Sequence, residues 1–238
     1  MIVPGYAIPV VLAILLALLF PASQKIPAEY RNVYRGLQLC TLLGAVVGAK
    51  LAELAGDYGW PFAALPASVS WWTSGRSIVG GLLGGFLVAE TLKPLLRYPL
   101  PPNDHFAKIL PFSVAIGRIG CVLGGCCRGI RWDGPFAMHY AGEDFGRFPA
   151  PYVEMGFHAL CGIAFVSLVR NKLLVGRIFS MYLVLYGAFR MSTEPLRDTP
   201  HLLGVFSVYQ ALAALMMVAG LLAFHLRKGG VDGRSVAA

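Results

Sequence analysis

Two arginines stand inside apolar stretches of the chain: Arg118, in the run from Ile109 to Cys127, and Arg190, in the run from Ile178 to Glu194. A guanidinium cannot shed its proton to escape hydrocarbon, so each must meet an anion or a wet cavity. Permanent cations placed this way suit a phosphate-bearing substrate, whose oxygens accept the two-pronged hydrogen bonds of the guanidinium fork. Tyr186 precedes Arg190 by four residues, one helical turn, so its hydroxyl shares a face with that guanidinium and is placed to bond a phosphate or ester oxygen. Glu154 and Glu194 are plausible partners for the arginines, or bases if burial makes them hold protons more tightly. His139 and His158 are the other candidate bases.

Cys121, Cys126 and Cys127 cluster in the stretch from Gly117 to Gly129, which holds five glycines in thirteen residues. A helix is weakened or broken there, which membrane proteins tolerate only where the backbone is buried in protein or lines a cavity. Four readings of the thiols stand open. The first is a metal site with His139 as fourth ligand, although the spacing is no known zinc pattern. The second is a disulfide, with neighbours Cys126 and Cys127 poorly placed to join each other. The third is a nucleophilic Cys126, its thiolate favoured by Arg118 and Arg128, carrying a covalent lipid intermediate. The fourth is plain packing, which is also the reading for the isolated Cys40 and Cys161. Neither a cofactor nor a metal is called for.

The elements that must position these residues follow from composition. Of 238 residues 57% are hydrophobic and 13% charged, with mean hydropathy +0.65. Soluble domains carry about 25% charged residues, so the class is an all-α polytopic membrane protein. Seven apolar stretches suffice for transmembrane helices, near 3–22, 34–56, 75–96, 106–127, 150–169, 178–196 and 203–226. The first has no basic residue before it and is read as a retained span. One membrane domain over 1–238 is expected, with a small extracytoplasmic head at 128–149. In that head Phe136–Tyr140 and Phe145–Phe148 form a short hairpin.

The net charge of +8 is a topology signal and excludes a nucleic-acid partner by its distribution. Lys25, Arg31, Arg35, Lys93, Arg97, Lys108, Arg170, Lys172, Arg177, Arg227, Lys228 and Arg234 fall on one set of loops and the chain end. The opposite loops balance Arg128, Arg131, Arg147 and Arg197 with Asp57, Asp133, Glu143, Asp144 and Asp198. The positive-inside rule puts the C-terminus in the cytoplasm and the N-terminus outside. Within or near the spans remain Lys50, Arg76, Arg118 and Arg190 against Glu53, Glu90, Glu154 and Glu194, and Lys50 with Glu53 shares one helix face.

Leu185-Tyr-Gly-Ala-Phe-Arg190, followed by Glu194 and Arg197, resembles the prolipoprotein diacylglyceryl transferases, seven-span enzymes of the bacterial inner membrane. Gly117-Arg-Ile-Gly120, Ser77-Ile-Val-Gly-Gly-Leu-Leu-Gly-Gly85, Gly48-Ala-Lys50-Leu, Pro149 with Glu154, and Gly204 with Gln210 extend the resemblance from span two onward. It implies transfer of diacylglycerol from phosphatidylglycerol to the cysteine thiol of a lipoprotein precursor, without a cofactor. In that reaction a thiolate attacks the glycerol carbon bearing the phosphate ester, and glycerol phosphate leaves. It implies Arg118, Arg190 and Tyr186 at the chemistry, with Gly80, Gly81, Glu154, Glu194 and Arg197 binding substrate; the residues themselves add Cys126 at the chemistry and Cys121 and His139 at the substrate.

The chain departs from the pattern at defined places. Val79 replaces the family's histidine, and Cys121, Gly124 and Cys126 replace its two asparagines and a glutamate. Pro151-Tyr152-Val153 replaces Gln-Leu-Tyr. A divergent paralogue with another acceptor, or one that only binds lipid, is the second reading. A membrane thiol–disulfide oxidoreductase is the third, against which stands the lack of a Cys-x-x-Cys pair. A head group contacting Arg118 or Arg190 is the expected arrangement. Both arginines neutralised by Glu154 and Glu194 in a dry core would argue against it.

Overall fold

The structure is a computed structural model that describes residues 4–19, 27–58, 77–98, 104–201 and 206–227. Seven helices run α1 (Pro4–Leu19), α2 (Arg31–Tyr58), α3 (Ile78–Leu95), α4 (Asp104–Gly124), α5 (Ala150–Arg170), α6 (Ile178–Thr193) and α7 (Val208–Leu226). Two short strands, β1 (Met138–His139) and β2 (Gly146–Arg147), form the antiparallel hairpin expected in the head. The all-α polytopic class stands. Five of the helices are long and apolar enough to cross a membrane. α1 and α6, at 16 residues each, are shorter. A 3₁₀ turn over Glu194–Leu196 extends α6 toward its expected limit. Arg76 and Gly204 lie outside the described residues.

Polarity is turned inside out relative to a water-soluble domain. Leu39, Leu43 and Val46 on α2, Leu160 and Ile163 on α5, and Val218 and Leu222 on α7 face outward, while Arg118, Arg190, Glu154 and Glu194 are buried. Apolar outer faces with charges inside are what hydrocarbon solvent selects.

Helices pack mainly as α2 on α3, α4 against both α1 and α5, and α6 on α7, with lighter contacts of α7 on α2 and α3 and of α6 on α4 and α5. Gly44 and Gly48 of α2 cross Gly80 and Gly84 of α3 backbone to backbone. A Cβ on Gly48 would lie 2.5 Å from the Gly80 carbonyl oxygen and 3.0 Å from the Gly84 Cα. Small residues at such a crossing let the backbones touch. Gly81, whose added Cβ would sit 3.4 Å from Ala49 Cβ, faces the same crossing. Gly80 and Gly81 therefore act in helix packing in this structure, where the sequence reading had placed them at the substrate.

Polar side chains tie the remaining ends. The Asp104 carboxylate at the start of α4 accepts backbone N–H bonds from Gly176, Ile178 and Phe179, capping α6 from another helix. Ser207 and Gln210 form a reciprocal capping box on α7. The Tyr209 hydroxyl donates to Asp57 at the end of α2 (2.7 Å). On the Asp57 side Lys50 pairs with Glu53 (2.8 Å) as its spacing predicts, and at the opposite end Glu90 accepts from Lys93 (2.7 Å) and Arg227 (2.6 Å).

Gly48→Ala is expected to lower the thermal midpoint of the detergent-purified protein, because backbone atoms must move apart at a cost of about 1–3 kcal/mol. Gly156→Ala on α5, where an added Cβ meets nothing within 4 Å, is the control and keeps or raises the midpoint.

Candidate functional site

Glu154 is the hub. It lies four residues into α5, 2% exposed, just after the Pro149-Ala150-Pro151 helix start. Its carboxylate pairs with Arg118 from α4 and accepts the Tyr186 hydroxyl from α6. Arg197 Nη1 reaches it at 3.3 Å and Arg190 Nη1 at 3.7 Å. His158, one turn further along α5, places Nε2 at 4.0 Å from it, while its Nδ1 meets the Tyr182 hydroxyl at 3.0 Å. A second carboxylate, Glu194, accepts Arg190 Nη2 (2.5 Å), Thr199 Oγ1 (2.9 Å) and Ser207 Oγ (3.1 Å).

Within contact distance, three buried guanidiniums thus meet two buried carboxylates. Asp57 is bonded by Tyr209 and makes no ion pair among the described residues. Arg118 is paired with Glu154 and Arg190 with Glu194, the arrangement that weighs against a head group on either arginine. The cluster is still not neutral, because Arg197 brings a third positive charge. Arg118 Nε, Arg190 Nε and Arg197 Nε are each buried without a hydrogen-bond partner among the described residues. Donors buried without acceptors cost about 1–3 kcal/mol each, so the arrangement favours an incoming anion.

Arg118 also faces sulfur. Its Nη1 donates to Cys127 Sγ (3.2 Å) and Cys121 Sγ (3.6 Å), and those two sulfurs lie 3.7 Å apart. α4 stops at Gly124 rather than continuing to Cys127. Gly125 at φ +62° and Cys127 at φ +59° turn the chain back. The reversal brings Cys121, Cys126 and Cys127 within 4.8 Å of one another, where an intact helix would have spread them. Cys126 points its thiol at the Cys121 carbonyl (3.8 Å) and makes no contact with Arg118. Arg118 thus faces Cys127 and Cys121, while Cys126, the nucleophile candidate from the sequence, stands beside Cys121. Arg128, expected to favour the Cys126 thiolate, is engaged by Glu143 (2.8 Å) and the Tyr140 ring.

The head locks Arg197 in place. Ile130 N–H donates to the Leu196 carbonyl (3.1 Å) and Asp198 N–H to the Arg128 carbonyl (3.1 Å), so the chain leaving the cysteines pairs with the segment carrying Arg197. On its other side the same stretch pairs with β2, through Phe148 to Ile130 (2.9 Å) and Trp132 to Gly146 (2.9 Å). Arg147 cross-links the assembly by bonding Glu143, Asp198 (2.8 Å) and the Gly129 carbonyl (3.0 Å). Arg147 and Arg128 hold the half-buried Glu143 carboxyl below its usual range. His139 is exposed on this head and lines an apolar cavity of about 750 Å³ with Val122, Phe136, Tyr140 and Tyr152. It does not join the three sulfurs as a ligand among the described residues.

Arg118, Arg190, Tyr186, Glu154, Glu194, Arg197 and Cys121 therefore converge, while Gly80, Gly81 and His139 serve elsewhere and Cys126 sits at the edge. The sequence reading left His158 and Cys127 out of its chosen site. His158 was detectable, standing one helical turn from Glu154. Cys127 was not, because its position depends on a chain reversal that spacing alone does not reveal. Val79 is buried in the apolar core at 1% exposure.

The family model described as prolipoprotein diacylglyceryl transferase matches residues 2–226. Among curated relatives, the phosphatidylglycerol–prolipoprotein diacylglyceryl transferase of Bordetella bronchiseptica is 29% identical over 189 residues, covering 76% of this chain and 72% of the relative. The enzyme of the same name from Aliivibrio fischeri is 29% identical over 209 residues, covering 81% and 72%. The one from Aliivibrio salmonicida is 31% identical over 166 residues, covering 63% and 56%. No solved structure matches.

Glu154→Gln removes one of the two carboxylates that three buried arginines share, and should destabilise the fold by about 3–5 kcal/mol. Combining it with Arg118→Met removes both partners of one pair, so the double variant should lose less than the sum of the two singles. Thermal midpoints of the four proteins decide it, and additive losses would show that the pair is not coupled.

Proposed function

Because the chain belongs to the prolipoprotein diacylglyceryl transferase family, we propose that it transfers the diacylglyceryl group of phosphatidylglycerol to the thiol of a lipoprotein precursor. The observation that carries the reading of the site is the surplus of buried guanidinium over carboxylate at Arg118, Arg190 and Arg197, each with an unpartnered Nε. Negative charge grows on the phosphate as the carbon–oxygen bond to the glycerol breaks. Preplaced cations in a water-poor site stabilise that charge more than they stabilise the intact lipid. Glu154 then works as an organiser: it aims Arg118, Arg197 and Tyr186 at one point while taking only part of their positive charge.

The acceptor must be deprotonated before it attacks, since a thiol is a poor nucleophile. The family's histidine is Val79 here, so another group must serve. His158 Nε2, buried without a hydrogen-bond partner among the described residues and close to Glu154, is the base that the geometry favours. The phosphate-gripping residues sit at the ends of α4 and α6 and the start of α5, the same end that carries the head. With the basic loops on the opposite side, the head and the site face the outside of a bacterial inner membrane. The C-terminus is cytoplasmic, the N-terminus lies outside, and 1–238 forms one membrane domain.

One observation favours a second reading, that of a thiol–disulfide oxidoreductase: three sulfurs gathered beside an arginine. Replacing Cys121, Cys126 and Cys127 together separates the two, because redox function would vanish while phospholipid binding would survive.

Release of glycerol phosphate from phosphatidylglycerol, with a cysteine-containing lipobox peptide as acceptor, tests the transferase directly. Arg118→Lys keeps a charge for Glu154 but loses the fork, and should cut turnover about 10²–10³-fold with little change in thermal midpoint. Unaltered turnover and lipid affinity on replacing both Arg118 and Arg190 would refute the assignment.

A further inference from the structure

We propose that Cys121, Cys126 and Cys127 form a three-thiolate site for a zinc ion whose fourth position is open. The three sulfurs lie within 4.8 Å of one another, and Cys121 and Cys127 are 3.7 Å apart. Zinc–sulfur bonds of about 2.3 Å at tetrahedral angles put sulfurs about 3.8 Å apart, so this pair already stands at ligand spacing. A disulfide needs about 2.05 Å and would draw the two chain positions together. The turn that gathers the thiols holds a non-glycine residue, Cys127, in the left-handed region, a conformation the surroundings must enforce.

Charge selects the ion. Three thiolates around a divalent cation carry a net charge of −1, and the neighbouring contact cluster of three guanidiniums and two carboxylates carries +1. The site's negative charge would stand beside that positive surplus, whose Nε donors keep no partner among the described residues. Copper(I), the other common thiolate ion, would leave −2 and overshoot. Arg118 Nη1 already donates to two of the three sulfurs, as outer-layer donors do at metal–thiolate centres. No fourth protein ligand joins the group among the described residues, and His139, the candidate from the sequence, stands outside it. Zinc bound by three protein ligands keeps its fourth position for an exogenous donor.

On the transferase reading, on which this step rests, that donor is the acceptor thiol. Its S–H bond breaks, its sulfur binds zinc in place of a water molecule, and the proton leaves on that water as hydronium. The bound thiolate then attacks the glycerol carbon, the carbon–oxygen bond to phosphate breaks, and the neutral thioether, a weak ligand, dissociates. Bound zinc would thus acidify the acceptor thiol so that it ionises at the metal, and His158 would be the base only while the metal is absent.

The full chain, purified in detergent without chelators, should contain about one zinc per chain by elemental mass spectrometry. Cys121→Ser with Cys127→Ser should lower it at least about tenfold, and Cys40→Ser should leave it unchanged. Cobalt(II) added to metal-stripped protein should give thiolate charge-transfer bands and tetrahedral ligand-field bands, and N-acetylcysteine methyl ester should shift the latter. Should the serine variant not fold, zinc should slow alkylation of the three thiols in the unaltered protein about tenfold or more. Zinc content below about a tenth per chain with all three thiols alkylated at equal rates, or a Cys121–Cys127 disulfide in the purified protein, overturns the site. A zinc-loaded protein that cannot release glycerol phosphate sinks the transferase reading alone. A metal-free protein that turns over sinks the metal site alone.

Discussion

An arginine in hydrocarbon has no neutral form, and that single fact governs the interior of this protein. Once Arg118, Arg190 and Arg197 are placed inside the helix bundle, carboxylates must follow them, and those carboxylates need further donors. Glu154 and Glu194 supply the charge, and Tyr186, Thr199 and Ser207 complete their shells. Two carboxylates hold three cations together, yet leave them one charge short of balance. A site tuned in this way is stable enough to persist and unsatisfied enough to bind.

The rest of the bundle delivers those side chains. Glycines at the α2–α3 crossing bring two backbones into contact and form one wall. Asp104 fixes the start of α6, and hence the rotation that turns Tyr186 and Arg190 inward. The Ser207–Gln210 capping box sets where α7 begins, which is also where Ser207 reaches Glu194. Caps that look like routine helix ends therefore carry positional information for the charged cluster.

Most of this architecture was legible because membrane helices announce themselves by length and apolarity, and charges inside them stand out. The seven helices, the Lys50–Glu53 pair, the hairpin in the head and the convergence of Arg118, Arg190, Glu154 and Glu194 were all reachable from spacing. The errors share a physical origin. Gly80 and Gly81 serve packing as well as they would serve a substrate, and sequence alone cannot tell a close backbone from a close ligand. Cys127 was not singled out because the chain reversal at Gly125 decides which sulfurs face Arg118. Glu154 and Glu194 were foreseen as partners of Arg118 and Arg190, but a list of residues gives no stoichiometry of contacts. The third arginine, expected among the substrate-binding residues, is 9% exposed and part of the cluster.

Pairing of residues 128–132 with both β2 and the Leu196–Asp198 segment has a mechanical corollary. The head, the thiol-bearing turn and Arg197 are stitched into one small sheet, so none of them can shift without carrying the others. A polypeptide that docks on the head from the aqueous side would press, through main-chain bonds, on a cation poised at the lipid phosphate. Recognition of one substrate and grip on the other would then be a single motion.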